Sequence, residues 1–334
     1  YLLQANDSVL IRELELDSPG LRDLRQQEVE LVVPLISQGE LVGLLNLGSR
    51  LSEQEYSIHD MLLLNMLASQ AAPALRVAQL VHQYQMQSLQ RQRMEAELSV
   101  AHLIQNTLIP QNLPELPGWQ FSGFYQPARA VGGDYYDFIQ LPDQRLGIVI
   151  GDAADKGVPA ALVMATARSL LRSVAPEEAQ PAQVLERVNI LLYDHIPTNM
   201  FVTCLYMVIS MDSGQITLAN AGHNLPYLAR EGSIKKLHAT GLPLGIFPDQ
   251  SYEEVQANLL PGDNLFLYSD GLVEVHNSQG HMLGFDGLAQ IIASLPEESN
   301  LVSNIIAAYQ HFVGAQGEQE DDIALVAIQR SPLP

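Results

Sequence analysis

The chain has 334 residues, of which 17 are basic and 38 acidic, so its formal net charge is −21. This charge argues against a nucleic-acid partner and against an anionic membrane surface, because both attract basic proteins. A hydrophobic content of 47% excludes wholesale disorder, and the length suggests about two domains.

The cysteine content indicates a cellular compartment, and the first residue bears on what precedes this sequence. Cys204 is the single cysteine, so an internal disulfide is excluded and a reducing, cytoplasmic location is expected. Its apolar surroundings favour a core role over a nucleophilic one. No apolar stretch reaches the ~18 residues that would predict a membrane span, and no signal peptide is evident. Because the chain begins at Tyr1 rather than methionine, we expect further domains upstream.

Residues 1–75 predict part of a small α/β domain. The apolar runs 29–36 and 41–48 predict a β-hairpin, and Ser57 predicts the N-cap of a helix that begins at Ile58. The segments GELVGLLNLG and YSIHDMLLLNMLASQAAPAL resemble the C-terminal half of a GAF sensory domain. The resemblance implies a partial sensor domain, but it indicates no particular ligand.

Residues 76–109 are polar and glutamine-rich. With Val77 at heptad position a, apolar residues recur at a and d, and Gln87, Arg91 and Gln105 interrupt the seam. This pattern favours a two-stranded coiled coil, and hence a homodimer, in which the polar positions set register. A seam of this kind can shift between registers and transmit a signal. The alternative is one amphipathic helix lying on its own domain. The proline-rich segment 110–117 ends the helix.

Residues 118–331 contain the densest strand signals. Strands are predicted at 146–150, 201–209, 215–219, 264–268 and 323–328, and helices at 158–173, 181–193 and 301–313. Long strand runs with helices between them predict an α+β fold, in which two sheets pack into a β-sandwich flanked by helices.

Aspartates lie at the edges of apolar runs in the contexts VGGD, IGD, YSDG and DDI; they are Asp134, Asp152, Asp270 and Asp321. Glycine beside an aspartate allows the backbone or a ligand to approach closely. Any one of these residues alone could be a turn or cap residue. Together around one sheet they predict a site for hard divalent cations, which take oxygen ligands, and hence metal-assisted hydrolysis.

The motifs PARAVGGDYYDF, GDAADKGVPAALVMA, NAGHNLPYL, LYSDGLVEVHN and EDDIALVAI follow one another along residues 118–331. In this order they resemble the bacterial SpoIIE/RsbU-type serine phosphatases, a branch of the PP2C-like (PPM) metal-dependent phosphatases. The resemblance implies a protein serine/threonine phosphatase that uses two Mn²⁺ or Mg²⁺ ions and a bridging water or hydroxide. It also implies a substrate, a phosphorylated STAS-like anti-sigma-factor antagonist in a partner-switching pathway.

The resemblance also implies roles for individual residues. Carried over by motif, Asp152 would bridge both ions, so Asp152 and Asp134 are the predicted catalytic residues. Asp134 and the backbone carbonyl of Ala153 would hold one ion, and Asp270 and Asp321 the other. Ions about 3.5–4 Å apart need a shared carboxylate to offset their repulsion, which agrees with this assignment.

Neighbouring residues leave alternatives open. Asp322 is the rival of Asp321, but the first aspartate of the motif binds metal, so a structural role is favoured for Asp322. Asp137 is either an acceptor that supports the site or a structural residue. Arg129 precedes Asp134 by five residues, the spacing of a phosphate-binding arginine in the eukaryotic branch, and is equally readable as a surface arginine.

The general acid is one departure from the eukaryotic branch, where a histidine in Gly-His-Gly follows the bridging aspartate. Here the segment is DAADKG, so no histidine is available there. Lys156 in this segment is predicted to be solvated or structural. His223 in NAGH is predicted to order a turn rather than to transfer protons.

The sequence also supports a prediction about regulation and leaves two alternatives for the function. A shift of the helix after Asp152 is expected to set the backbone at Ala153, under control of the N-terminal sensor. A catalytically silent binding module is the main alternative, disfavoured by the intact set of aspartates. A hydrolase of nucleotides or other small phosphates is a third hypothesis, but no base-recognition motif supports it.

Overall fold

The computed structural model describes residues 7–296, 300–314, 317 and 319–331. It separates into two compact units, Tyr1–Glu95 and Ala96–Pro334. The domain boundaries inferred from the sequence differ from this division and remain predictions.

The first unit has, among its described residues, a three-stranded antiparallel sheet in the order β1-β2-β3. Its elements are β1 Val9–Leu10, a 3-10 turn at Ile11–Glu13, α1 Pro19–Gln26, β2 Leu31–Ser37, β3 Glu40–Leu47 and the start of α2 Ile58–Leu108. The predicted hairpin is confirmed, since Ser37 pairs with Glu40 across a turn at Gln38 and Gly39. Both turn residues have positive φ, at 53° and 82°, as a tight hairpin turn requires.

Helix α2 begins as the sequence predicts, because Ser57 Oγ accepts a hydrogen bond from the backbone N–H of Asp60 at 3.2 Å. It then continues through Pro73 to Leu108, so the predicted coiled-coil segment is part of a longer helix. The seam residues Val77, Leu80 and Met94 are exposed. Exposure of these apolar side chains is what a coiled-coil seam requires, and the homodimer remains a prediction.

One property of α2 differs from the sequence expectation. Within the described part of the chain, an 18-residue window of this helix is apolar enough to cross a membrane by length and composition alone. The core helix of a soluble protein or a signal sequence passes the same test, so the indication is weak. The expected absence of a membrane therefore remains a prediction.

The second unit is the predicted sandwich. In its described residues, one antiparallel sheet has the order β10-β9-β12-β13-β4 and the other the order β11-β8-β7-β6-β5. The strands are β4 Trp119–Gln126, β5 Tyr135–Leu141, β6 Arg145–Ala153, β7 Val202–Ser210, β8 Gln215–Ala221, β9 Tyr227–Arg230, β10 Ser233–Lys236, β11 Glu254–Asn258, β12 Asn264–Tyr268 and β13 Ile323–Arg330. The helices are α3 Val158–Val174, α4 Pro181–Tyr193, α5 Gly284–Ala293 and α6 Leu301–Val313.

Burial explains why the central strands are continuous apolar runs. Ile148, Val149 and Ile150 are all fully buried, although successive strand residues point to opposite faces of a sheet. One face of this sheet packs in the core between the sheets and the other beneath α3 and α4. The other sheet is covered in turn by α5 and α6. The fold is therefore the expected α+β sandwich with helices outside.

Asp137 on β5 ties the sheet to α3. Its carboxylate accepts hydrogen bonds from Arg172 Nη1 at 2.7 and 2.8 Å. Arg168 Nε lies 3.0 Å from Asp137 Oδ2, but it is not aligned for a hydrogen bond. The Asp137 side chain is 1% exposed, so the structural alternative for this residue is the one that the structure shows.

We expect Asp137→Asn to lower the free energy of unfolding by about 3 kcal/mol, because loss of one partner of a buried ion pair leaves the other uncompensated. The value lies at the low end of the usual range because Arg172 is half-exposed. Urea unfolding measures the change. Asp143→Asn, in the exposed turn after β5, is the matched control and should change little. An Asp137→Asn protein as stable as the control would contradict a structural role.

Candidate metal centre

Asp134, Asp152 and Asp270 converge at one end of the sandwich. One carboxylate oxygen from each lies within 4.8 Å of the other two. Asp134 immediately precedes β5, Asp152 lies near the end of β6, and Asp270 opens a 3-10 turn after β12. Adjacent antiparallel strands bring the start of one next to the end of the other, which is why residues distant in sequence meet here.

Glycine allows the backbone to close around this cluster. A Cβ atom at Gly133 would lie 2.5 Å from the carbonyl oxygen of Ala153 and 2.9 Å from Asp152 Oδ1, closer than side chains tolerate. A Cβ atom at Gly271 would lie 2.0 Å from the backbone oxygen of Asp322. The predicted ligands Asp152 and Ala153 can therefore approach the Asp134 loop only because residue 133 has no side chain.

Burial and mutual repulsion perturb these carboxyl groups. Burial, reinforced by the charges of Asp270 and Asp321, raises the pKa of Asp152 to about 8. Burial and then the Asp152 charge raise the pKa of Asp134, while a hydrogen bond with Ser269 opposes them. Burial and then Asp321 also raise the pKa of Asp270. The charge of Lys156 opposes the shifts of Asp152 and Asp270 but does not outweigh burial and the neighbouring carboxylates.

The donor set fits divalent cations. Asp134 Oδ2 is buried and has no hydrogen-bond partner among the described residues. An unsatisfied buried polar atom costs about 1–3 kcal/mol, and an ionised carboxylate costs more. Oxygen-only ligands with excess negative charge are what Mg²⁺ and Mn²⁺ take, and a bound cation would satisfy Asp134 Oδ2 and reverse the pKa shifts.

Asp321 lies near the cluster but has a cationic partner. Its charge raises the pKa values of Asp152 and Asp270, although burial is the larger cause for both. Its Oδ2 accepts a hydrogen bond from Lys156 Nζ at 2.7 Å, and Lys156 also donates to the backbone oxygen of Glu320 at 3.2 Å. Sequence reasoning missed this contact with a predicted ligand. A lysine in the loop after a predicted ligand is only a weak signal of it.

Asp322 uses both carboxylate oxygens for the loop before Asp134. Oδ1 accepts from the backbone N–H of Ala128 at 2.8 Å and Oδ2 from that of Gly133 at 2.7 Å. The structural role predicted for Asp322 agrees with these contacts. Arg129 lies in the same loop and is exposed. The hydrogen bond with Asp321 raises the pKa of Lys156, and the charge of Arg129 opposes this shift. Both alternatives for Arg129 remain open.

His223 orders a turn, as predicted. Its backbone N–H donates to Asn220 Oδ1 at 2.8 Å, and Asn220 Nδ2 donates to the His223 carbonyl at 2.8 Å. The ring nitrogen Nδ1 lies 2.9 Å from Thr203 Oγ1, and Thr203 pairs with Asp152 across β6 and β7. Burial lowers the pKa of His223 to about 4, so the ring is neutral near pH 7.

Comparison with known families agrees with this geometry. Residues 142–331 match the family of stage II sporulation protein E (SpoIIE), and residues 1–75 match the GAF domain. Over 245 residues the chain is 30% identical to the phosphoserine phosphatase RsbU of Bacillus subtilis (strain 168). The aligned region covers 72% of this chain and 72% of RsbU. Asp134 lies outside the matched SpoIIE segment, so its assignment depends on the motif and the geometry.

Solved structures share the fold. The RsbU and RsbW domains of Rv1364c from Mycobacterium tuberculosis align with a TM-score of 0.58 and 26% identity, over 68% of this chain and 64% of that one. The SiaA-PP2C domain of Pseudomonas aeruginosa aligns with a TM-score of 0.64 and 22% identity, over 72% of this chain and 98% of that one. The second unit therefore has the PP2C fold.

The metal-free protein should lose stability as the pH rises. The pKa of Asp152 increases from an ordinary 3.8 to about 8 on folding, so the folded state binds the proton more tightly. The contribution is therefore most favourable below pH 4 and declines as the pH rises towards 8. We expect Asp152→Asn to flatten this decline and, at pH 8, to stabilise the metal-free protein by about 1–3 kcal/mol.

Thermal unfolding in a chelator and in Mn²⁺ tests this expectation. Mn²⁺ should raise the Tm of the wild-type protein and leave that of Asp152→Asn almost unchanged, since only a folded-state site confers stability on ligand addition. A structural aspartate would behave in the opposite way. Its substitution would destabilise the metal-free protein and preserve the Mn²⁺ response.

Proposed function

The chain belongs to the SpoIIE family of PP2C-like, metal-dependent serine phosphatases, and from this premise we propose that it dephosphorylates a small STAS-like anti-sigma-factor antagonist. The single observation that carries hydrolysis is the convergence of Asp134, Asp152 and Asp270 on one point. The phosphoserine or phosphothreonine substrate and the partner-switching context rest on the similarity to RsbU.

We propose that Asp152 is shared between two divalent cations, Mn²⁺ or Mg²⁺. Asp134 and the carbonyl of Ala153 would hold one, and Asp270 and Asp321 the other. When bound, paired cations supply an activated water and neutralise the transferring phosphoryl group. The close approach of the Ala153 carbonyl to Gly133 supports its inclusion in this set.

Filling of the site would be coupled to the protonation of Asp152. Burial raises the pKa of Asp152 to about 8, whereas a divalent cation takes the carboxylate as its ligand. Cation binding would therefore displace a proton from Asp152, and we expect the affinity to rise with pH up to about 8. The partial burial of the cluster weakens the screening of these interactions by bulk water.

Local cations offset the acidic surface. A net charge of −21 repels a phosphorylated substrate at long range. Lys156 lies at the carboxylate cluster, and Arg129 is exposed on the loop before Asp134. We propose Arg129 as a contact for the substrate phosphate, because a guanidinium matches two phosphate oxygens at once.

Regulation is proposed to come from the GAF-like unit through α2. This helix runs from the first unit into the second without interruption. The exposed part of the seam, at Val77, Leu80 and Met94, supports a homodimer through residues 76–109. We propose a cytoplasmic location, because Cys204 is the single cysteine. The helix α3, which begins directly after the Asp152 loop, is a proposed responder to a shift of α2.

Hydrolysis of p-nitrophenyl phosphate should require Mn²⁺ or Mg²⁺. We expect Asp152→Asn and Asp270→Asn to lower kcat/KM by more than the ~10–100-fold typical of residues that only support metal ligands. Asp143→Asn, an exposed aspartate outside the cluster, is the control. Phosphorylated STAS protein should then be preferred over nucleotides and other small phosphates. Wild-type protein without any metal-dependent hydrolysis would instead indicate a silent binding module.

Removal of residues 1–95 should change the oligomeric state and the rate. The second unit begins at Ala96, so the shortened chain keeps the compact unit that contains the metal centre. Analytical ultracentrifugation should show a dimer for the full chain and a monomer for residues 96–334, with a change in kcat of about 5–150-fold, the usual range of coupling between sites. The same kcat and the same oligomeric state for the full chain and for residues 96–334 would contradict regulation through α2.

A further inference from the structure

The last turns of α2 contact the loop that leads into Asp134. Gln105 Nε2 donates a hydrogen bond to the carbonyl of Gly132 at 2.6 Å, and Gln105 Oε1 accepts one from the N–H of Gly132 at 3.1 Å. The Gln105 residue is only 3% exposed, although α2 is mostly exposed. The side-chain amide of Gln105 therefore pairs with both the N–H and the carbonyl of Gly132, as another backbone peptide group could.

Two neighbours on the same helix face support this contact. His102 Nδ1 lies 2.7 Å from the carbonyl oxygen of Ala130. A carbonyl only accepts, so Nδ1 carries the proton, and His102 Nε2 can accept from Asn106 Nδ2 at 2.9 Å. Residues 102, 105 and 106 are three and four positions apart, so the final part of α2 presents one polar face to the loop.

In the loop before Asp134, Val131 is buried, but the two residues that follow it have no side chain that could pack. A Cβ atom at Gly132 would lie 2.1 Å from Asp322 Oδ2, and one at Gly133 would lie 2.5 Å from the Ala153 oxygen, so both positions need glycine. Glycine loses more conformational freedom on folding than any other residue. Hydrogen bonds from other segments therefore supply the order that side chains do not supply at these two positions.

Those hydrogen bonds come from three segments of the chain, one of which is β6, where the N–H of Ala153 donates to the Gly133 carbonyl at 3.2 Å. Asp322 accepts from the N–H groups of Ala128 and Gly133, at the ends of the loop. Gln105 holds Gly132, between them. Gly133 is the residue directly before Asp134, so the peptide that joins Gly132 to Gly133, held by Gln105 and Asp322, contributes to where the Asp134 carboxylate points.

We propose that Gln105 is a positioning residue for the metal centre, acting through Gly132 to place Asp134 for cation binding. The inference rests on the proposed function of the carboxylate cluster. It assigns to a residue of the linker helix a role that the coiled-coil seam does not require. A merely structural role, in which Gln105 only anchors the end of α2, predicts a loss of stability without a change in metal affinity.

The test compares Gln105→Leu with Gln111→Leu in the full chain. Leucine is close to glutamine in size and in helix propensity, but it cannot pair with Gly132. Gln111 is the matched control, because its Nε2 donates only to the carbonyls of Asn106 and Ile109, at 2.9 and 3.3 Å. Calorimetry of Mn²⁺ binding and amide hydrogen exchange of residues 128–134 in metal-free protein are the readouts, with p-nitrophenyl phosphate hydrolysis beside them.

We expect Gln105→Leu to weaken Mn²⁺ binding by about 10–100-fold, the usual effect of losing a group that orients a metal ligand. The Gly132 amide should exchange faster than in wild type, and excess Mn²⁺ should restore most of the hydrolysis rate. Gln111→Leu should match wild type in all three measurements.

Gln105→Leu with Mn²⁺ affinity within about two-fold of wild type overturns the proposal, whatever its Tm. If Gln105→Leu does not fold, Gln105→Glu replaces it, because that variant keeps the acceptor oxygen for the Gly132 N–H; unchanged Mn²⁺ affinity there overturns the proposal equally. Failure of the proposed function is distinct, since wild-type protein would then show no metal-dependent hydrolysis at all.

Discussion

The carboxylates of Asp134, Asp152 and Asp270 repel one another at close range, and the burial of Asp134 and partial burial of the other two reduce the screening by water. Such a cluster is stable only if the surrounding structure cannot relax by turning the side chains outwards. Here the aspartates are fixed at the ends of strands from both sheets, and glycine at residue 133 brings the backbone carbonyl of Ala153 into the same space. The large apolar core between the sheets supplies the rigidity, and divalent cations would remove the repulsion.

Asp321 and Asp322, the two residues directly before β13, have different roles. Side chains of neighbouring residues in extended backbone point in opposite directions. Asp321 therefore lies towards the cluster and Lys156, whereas Asp322 reaches the loop before Asp134. Reversing the two roles would require a shift of β13 by one residue. That shift would exchange the apolar set that packs between the sheets with the set that packs beneath α5 and α6, and the two sets differ in the shapes of their side chains. Register in the sheet thus protects the geometry of the site.

Local patterns were sufficient to predict much of this molecule. The hairpin at Gln38, the helix start at Ser57, the helices α3, α4 and α6 and the aspartates at strand ends all depend on neighbours in sequence. The sequence analysis did not predict the strands β4, β5, β9, β10 and β11 or the helix α5. In the case of β10 the reason is that its sequence, SIKK, is mostly polar and half-exposed at a sheet edge. The contacts of Lys156 and Gln105 were missed for another reason. Their partners are 165 and 27 residues away, and no periodicity marks such pairs.

The contact of Gln105 changes how a polar residue in a helical seam should be interpreted. By heptad position it weakens a coiled coil, but in the structure its amide is satisfied by Gly132. Two hydrogen bonds of this kind contribute about 1–3 kcal/mol together. A free-energy difference of that size between two positions of α2 corresponds to a change of about 5–150-fold in a binding constant, which is the usual range of allosteric coupling. If Gln105 positions Asp134 as proposed, a displacement of the end of α2 would alter the metal centre without deforming the sandwich, because the loss of one pair of hydrogen bonds has the required size.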